Sequence, residues 1–258
     1  MLETRLILTP MTIVDLSIVV PLFNEAENLP QLDEEIRATL NETSLAYEVV
    51  YVDDGSTDSS GEILRTLAKN DAHLRIVKLS VNSGQTAAFA AGIRAARGEI
   101  IVTLDADLQN DPADIPRLLA EMTDCDIVCG IRQDRHDSKI RLLSSRIANA
   151  VRNRLTDESI TDVGCSLRAF RRELTRDLPL FTGMHRFLPT LLRLQGGRVR
   201  EIPVRHRPRL HGDSKYGIHN RLWVGIADLI AVRWMRKRWI DSSLSSDVTP
   251  NHGADGPS

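Results

Sequence analysis

Aromatic residues are scarce: 3 Trp, 3 Tyr and 5 Phe make up 4% of 258 residues. With so few rings for base stacking and no recognised nucleic-acid module, the chain does not read as a nucleic-acid-binding protein. Cysteine is scarcer still. Cys125, Cys129 and Cys165 follow no zinc-ligand spacing and suggest no disulfide framework, so they read as reduced, mostly buried thiols. Long apolar runs are missing as well. None reaches the roughly 18 residues that mark a bilayer span, and no basic segment leads into an apolar one near Met1. The expectation is a cytoplasmic chain without a signal peptide or a transmembrane helix. No internal repeat is present.

What remains is an ordinary globular composition, 42% hydrophobic and 26% charged, long enough for one large domain or a domain with an extension. The net charge of −2 conceals an asymmetry. Residues 1–129 hold 9 Lys+Arg against 22 Asp+Glu, whereas residues 130–240 hold 24 against 10. The first half suits cations. The second suits phosphates, nucleic acid or an anionic membrane surface, although Arg-rich solvated helices account for part of its surplus.

Apolar runs alternate with helical patterns through the first half. Strands are expected at Leu16–Val20 (ended by Pro21), Glu48–Val52, Leu74–Leu79, Ile100–Leu104 and Asp126–Ile131. Helices are expected over Glu25–Leu40 with Asn24 as cap, from Ser59 to about Lys69 with Asp58 as cap, and over Gln85–Arg97. Pro112 opens another. This alternation predicts an α/β fold with a mostly parallel sheet and helices on both faces. Beyond it come a polar helix over Ile140–Leu155, a strand over Arg198–Val204, a basic loop over His206–Gly217 and a long helix over Ile218–Ile240. Residues 241–258, rich in Ser, Asp, Gly and Pro, are expected to be a disordered tail.

Chemistry concentrates where the fourth strand ends. Asp105-Ala106-Asp107-Leu108-Gln109 places two carboxylates and an amide oxygen at the carboxyl edge of the sheet, where α/β folds hold ligands. Oxygens at i, i+2 and i+4 suit a hard divalent cation that keeps water or phosphate as its other ligands. Such a cation assists the departure of a diphosphate. An Asp-x-Asp turn in solvent is the plainer reading of the motif alone. Two further acidic loops fall on the same edge: Pro21-Leu22-Phe23-Asn24-Glu25 and Val52-Asp53-Asp54-Gly55-Ser56-Thr57-Asp58. A carboxylate there can accept a nucleobase imide N–H or ribose hydroxyls, and Gly55 permits a close backbone turn. Either loop alone reads as a turn and helix cap.

Taken together, these motifs resemble glycosyltransferase family 2, in particular its polyprenyl-phosphate sugar synthases, over about residues 16–238. The resemblance implies a single nucleotide-sugar-binding domain of the GT-A type over residues 16–217. An N-terminal extension (1–15), an amphipathic membrane-interface helix (218–240) and the tail flank it. It implies that Pro21, Phe23, Glu25, Val52, Asp53, Asp54, Gln85, Asp105, Ala106 and Asp107 bind the nucleotide sugar. Asp105, Asp107 and Gln109 would hold Mg²⁺ or Mn²⁺. The stretch Asn82-Ser83-Gly84-Gln85-Thr86 looks like a donor-side loop of the family.

The basic half fits the same resemblance. Arg132, Arg141 and Ser145 correspond to acceptor-phosphate residues, and the i, i+4 spacing of the last two puts them on one helix face. Arg209 and Lys215 match a loop that closes over the diphosphate, so Asp105, Asp107, Arg132, Arg209 and Lys215 become the implied catalytic set. Asp162 matches its motif loosely, either touching the donor sugar or orienting an Arg. A phosphate acceptor arrives ionised and needs no general base, which leaves positioning and charge neutralisation as the catalytic means. His185, His206 and His211 are therefore read as structural or surface residues.

The last helix has two readings. Trp223, Ile226, Ile230 and Trp234 form one stripe, with Arg221, Arg233, Arg236, Lys237 and Arg238 around it. Its nearly apolar part, Leu222–Met235, would extend only about 21 Å as a helix. It either lies on an anionic leaflet or packs on the domain's own core. The resemblance implies a metal-dependent, inverting transfer of a hexose from a UDP- or GDP-sugar to a polyprenyl phosphate. The protein would sit peripherally on the inner face of the cell membrane, its product passing to a flippase or a downstream transferase acting on lipid A, polysaccharide or protein. A saccharide acceptor and a non-enzymatic membrane scaffold are the alternatives.

Overall fold

The computed structural model describes residues 14–133, 149–150, 152–156, 160–209 and 219–240. Seven strands form one sheet: β1 (Leu16–Leu22), β2 (Tyr47–Asp53), β3 (Leu74–Lys78), β4 (Ile100–Thr103), β5 (Ile127–Arg132), β6 (Arg168–Arg171) and β7 (Val199–Val204). The helices are α1 (Leu29–Asn41), α2 (Ser60–Asn70), α3 (Gln85–Ala95), α4 (Ile115–Glu121), α5 (Leu188–Leu194) and α6 (His219–Arg238). Strand order is β3-β2-β1-β4-β6-β5-β7. Every pairing is parallel except those of β6, which runs antiparallel to both β4 and β5.

Alternation within the strands builds a core on each face. Ile18, Val20, Val49, Tyr51 and Val102 face α1, α2 and α4, where Leu29, Leu32, Ile36 and Leu40 form the buried stripe of α1. Val19, Val50, Val52 and Ile101 face α3, α5 and α6 on the other side. Because both faces are covered, β1 and β2 are buried along their whole length. From β1 the chain winds outward through β2 to β3, then returns to place β4 on the other flank of β1. The order reverses between β1 and β4, and such a reversal opens a crevice at the carboxyl ends of the two strands.

Three expectations need correction. Pro21 lies inside β1, paired with Val52, because β4 has its last partner at Val19 and no ladder bond is required of the proline on that side. Asn24 caps no helix: it has φ 55°, its side-chain oxygen accepts from the Thr57 N–H at 2.8 Å, and α1 starts at Leu29 with Pro30 in its first turn. β6 falls within a stretch for which the sequence predicts no strand. Its antiparallel entry between β4 and β5 carries no local signature, since Arg168 and Arg171 break any apolar run.

α6 settles its two readings in part. Leu229 and Val232 are buried in the second core, with Met235 packed against it, while Ile230 and Trp234 are each 61% exposed. One face is docked on the domain and the other is open. No helix among the described residues is long and apolar enough to cross a membrane. The expected helix over Ile140–Leu155 lies largely outside the described residues, as do the N-terminal extension and the tail.

Candidate active site

Three loops meet in the crevice between β1 and β4. Their residues line a solvent-open cleft of about 260 Å³. Pro21, Phe23 and Glu25 enter from β1, Asp54 from β2, and Asp105, Ala106 and Asp107 from β4. Asn82, Gly84 and Gln85 close one wall and Arg209 another. Leu22 and Ala88 also line it, and neither carried a signal in the sequence beyond being apolar. Val52 and Asp53 do not line the cleft. Val52 is packed in the second core, and Asp53 is buried with its Oδ1 accepting the Ser56 N–H at 2.8 Å.

Each loop is held by bonds that leave little freedom. The β1 and β2 loops are stitched together by the Asn24 N–H on Ser56 Oγ at 2.9 Å and the Glu25 N–H on Ser60 Oγ at 3.0 Å. Asp54 accepts the Ser83 N–H at 2.7 Å and the Gly84 N–H at 2.8 Å, one on each carboxylate oxygen, and so fixes the start of α3. Gly55 is required beside it. At φ 69° a Cβ would stand 2.6 Å from the Val81 carbonyl carbon and 2.7 Å from the Asn82 nitrogen.

The β4 loop carries its own strain. Leu108 has φ 60°, an unusual value for a residue with a side chain, and its burial at 1% exposure holds it there. That turn brings the Gln109 N–H to Asp107 Oδ1 at 3.2 Å. Gln85 Nε2 donates to Asp105 Oδ1 at 2.9 Å, and Asn110 Oδ1 takes both the Asp105 N–H and the Ser166 hydroxyl. Nothing local in the sequence marks Asn110 for this bracing. Desolvation at the floor of the cleft, and then the neighbouring Asp107 charge, push the Asp105 carboxyl up to about 6.

Arg209 reaches across to this pair. Its Nη2 lies 2.7 Å from Asp107 Oδ2 and 3.4 Å from Gln109 Oε1. Two oxygens assigned to a cation thus converge on one positive group, and Asp105 adjoins them. The donor set is two carboxylates and an amide; among the described residues no cluster of three or more His, Cys, Asp or Glu competes with it. Such a set fits a hard divalent cation whose remaining ligands come from phosphate or water.

Arg132 ends β5 on the same edge of the sheet but does not line the cleft. Asp162 grips it through Nε at 2.7 Å, Nη2 at 2.8 Å and the backbone N–H at 3.1 Å. Gly164 lets the guanidinium in, since a Cβ there would stand 2.6 Å from Nη2. Of the two roles open to Asp162, orienting an Arg is the one the geometry supports. Arg141, Ser145, Lys215 and His211 lie outside the described residues. His185 is half-buried, its Nδ1 2.8 Å from Thr86 Oγ1 and its ring stacked on Phe89. Burial, then the charges of Arg168 and Arg186, drive it down to about 3, so it is a neutral bracket for α3. His206 forms a β-bridge with Asn110.

A sheet of this order, with acidic loops at its switch point, defines the GT-A class of nucleotide-sugar folds. Solved structures share it. Glucosyl-3-phosphoglycerate synthase from Mycobacterium tuberculosis, in complex with Mn²⁺, uridine diphosphate and phosphoglyceric acid, superposes with a TM-score of 0.64 at 21% identity, over 89% of this chain and 80% of that one. Residues 17–178 match the family described as Glycosyl transferase family 2, and the chain belongs to that family. It is 42% identical over 212 residues, 81% of its length, to an undecaprenyl-phosphate 4-deoxy-4-formamido-L-arabinose transferase of Sodalis glossinidius. It is 39% identical over 234 residues, 88% of its length, to a dodecaprenyl-phosphate galacturonate synthase of Rhizobium johnstonii. The chain spans 65% of the first relative and 69% of the second.

Proposed function

We propose that this protein transfers a sugar from a nucleoside diphosphate sugar to a polyprenyl phosphate, with inversion at the anomeric carbon. The observation that carries the reading is the meeting of the Pro21–Glu25 loop, Asp54, Asp105 and Asp107 in one cleft at the β1/β4 switch point. The relatives' names, an arabinose derivative and a galacturonate, favour the acceptor class. They span a pentose and a hexuronate, so the transferred sugar is not restricted to a hexose.

In this reading Asp54, Pro21, Phe23 and Glu25 receive the nucleotide and Gln85 supports Asp105. Asp105, Asp107 and Gln109 would hold Mg²⁺ or Mn²⁺, which neutralises charge on the departing diphosphate when bound. Arg209 and Lys215 add positive charge to the same group. Arg132, held in one orientation by Asp162, would bind the acceptor phosphate together with Arg141 and Ser145. The acceptor oxygen is already ionised and attacks C1 from the face opposite the diphosphate. No protein group has to take a proton, and its low pKa makes His185 a poor base. Ile230 and Trp234 on α6, with Arg236, Lys237 and Arg238 in its last turn, provide a surface for the anionic inner leaflet. The lipid product then passes to a flippase or a downstream transferase.

The test is a transfer assay with purified protein, a short polyprenyl phosphate, Mn²⁺ or Mg²⁺, and labelled UDP- and GDP-sugars. Label entering the organic phase, and lost with EDTA, supports the reading and names the donor. Donor hydrolysis alone, or label moving only to a glycan, refutes the lipid acceptor and promotes a saccharide one.

A further inference from the structure

Two arginines on the carboxyl edge of the sheet are paired with aspartates, and the pairs are built differently. Arg132 meets Asp162 as a fork, two guanidinium nitrogens on two carboxylate oxygens, with side chains only 17% and 6% exposed. That geometry suits a permanent brace. Arg209 meets Asp107 through a single nitrogen, Nη2, which also serves Gln109, and its side chain is 32% exposed. The pair is one-toothed and solvent-accessible. Its two acceptors are the oxygens assigned above to the divalent cation.

The backbone leading to Arg209 is nevertheless fixed. The Arg205 N–H donates to Asp114 Oδ2 at 2.6 Å and the Arg207 N–H to the Gln109 carbonyl at 2.9 Å. The Arg207 side chain bridges Glu35 on α1, at 2.7 Å, and Asp111, at 2.8 Å. This clamp ends two residues before Arg209, so the guanidinium can leave Asp107 without releasing the chain behind it.

We propose that Arg209 is an exchangeable cation: it occupies Asp107 and Gln109 in the metal-free protein, gives them up to the divalent ion, and then turns to the donor's diphosphate. The inference rests on the metal reading above and adds a competition to it. A guanidinium on Asp107 balances one charge and keeps two like carboxylates from facing each other bare. The ion and Arg209 cannot hold the same oxygens, so each weakens the other's hold by the same factor. A partly exposed ion pair of this kind sets that factor at about two- to fivefold. Once displaced, the guanidinium would add its positive charge to that of the ion in holding the diphosphate.

The experiment is a Mn²⁺ titration of the full chain without donor, read from the electron paramagnetic resonance of the free ion. Arg209→Ala is expected to bind Mn²⁺ about two- to fivefold more tightly than the unaltered protein. With UDP present the order reverses, because the variant has lost its contact with the diphosphate. Arg200→Ala removes the same charge from a pair with Glu121 at a distance and should leave Mn²⁺ affinity unchanged. Binding by Arg209→Ala no tighter than that of the unaltered protein overturns the exchange, as does an equal shift in Arg200→Ala. If Asp107→Asn still abolishes Mn²⁺ binding in that case, the metal reading survives alone. No Mn²⁺ binding by any of the proteins, with or without UDP, overturns both.

Discussion

Glu48 sits near the start of β2 and Asp105 just past the end of β4, so the sheet holds an enclosed carboxylate at each edge. At the first edge every charge is answered from within the fold. Glu48 accepts from Ser17 Oγ at 2.7 Å, Arg75 Nη1 at 2.7 Å and the Arg97 N–H at 2.7 Å. Burial alone would raise its carboxyl, but these bonds outweigh burial and hold it below its ordinary range. At the second edge burial and a second carboxylate act together, and Asp105 is pushed up to about 6. A carboxylate that folding leaves under electrostatic stress is one that a positive ligand can relieve. The contrast separates a structural edge from a working one, and substitutions at each should fail in opposite ways.

The largest effect is expected at the working edge. Asp107→Ala should lower sugar transfer by about 100- to 1000-fold, the scale of removing one preorganised electrostatic group from a transition state. The companion change Asp105→Asn should also cripple transfer, yet raise the melting temperature at pH 7. The sign follows from the raised pKa: ionised Asp105 costs stability above about pH 6, and the cost fades as pH falls through 6. Scanning calorimetry of Asp105→Asn against the unaltered protein at pH 7 checks it, and a lowered melting temperature would break the comparison.

Asp162→Asn comes next. It removes the fork that orients Arg132. Transfer should fall by about 10- to 100-fold, as expected when a positioned group loses its alignment. The loss should fall on the apparent KM for the polyprenyl phosphate and leave that for the nucleotide sugar unchanged. Equal effects on both substrates would detach Arg132 from the acceptor side.

Much of this arrangement was legible in the chain because its signals are local. Apolar runs of strand length marked β1 to β5 and β7, and the acidic loops that follow three of them fell on one edge as soon as the sheet was taken as parallel. Resemblance then pointed to Asp105, Asp107 and Gln109, and the structure brings the last two to one guanidinium. What escaped was set by distant partners. β6 is placed by pairing with β4 and β5 rather than by its own pattern. Asn24 has the composition of a helix cap, but the left-handed turn at φ 55° and the bonds to Ser56 and Thr57 redirect it. The bond from the Ser166 hydroxyl to Asn110 spans 56 residues, beyond any local motif.

At the structural edge the outcome should invert. Glu48→Ala removes the carboxylate shared by the Ser17 hydroxyl, the Arg75 guanidinium and the Arg97 N–H, leaving only Ser17 Oγ to the Arg97 N–H and the Ala95 carbonyl to Arg75, at an expected cost of about 1 to 3 kcal/mol. Transfer per folded molecule should be unchanged. The folded pKa is depressed, so the stabilisation is present above the unfolded value of 4.5 and lost as pH falls through the lower folded one. Urea denaturation should therefore show the full gap between variant and parent at pH 7 and a shrinking gap below about pH 4.5. A gap that persisted in acid would place the effect in packing rather than in the charge.

The smallest effect tests the same division across α6, whose two faces are only one residue apart in sequence. Val232 is fully buried, and Val232→Ala should cost roughly 2 kcal/mol by loss of buried methyl groups. Trp234, 61% exposed, adds nothing to that core. Trp234→Ala should leave the melting temperature alone and weaken sedimentation with phosphatidylglycerol-rich vesicles several-fold, as expected when an interfacial ring is removed. Arg238→Gln, in the basic last turn, should weaken it further at low salt and not at high salt, because leaflet attraction is screened within a Debye length. Vesicle binding that survives Trp234→Ala unchanged would leave the open face of α6 without a membrane role.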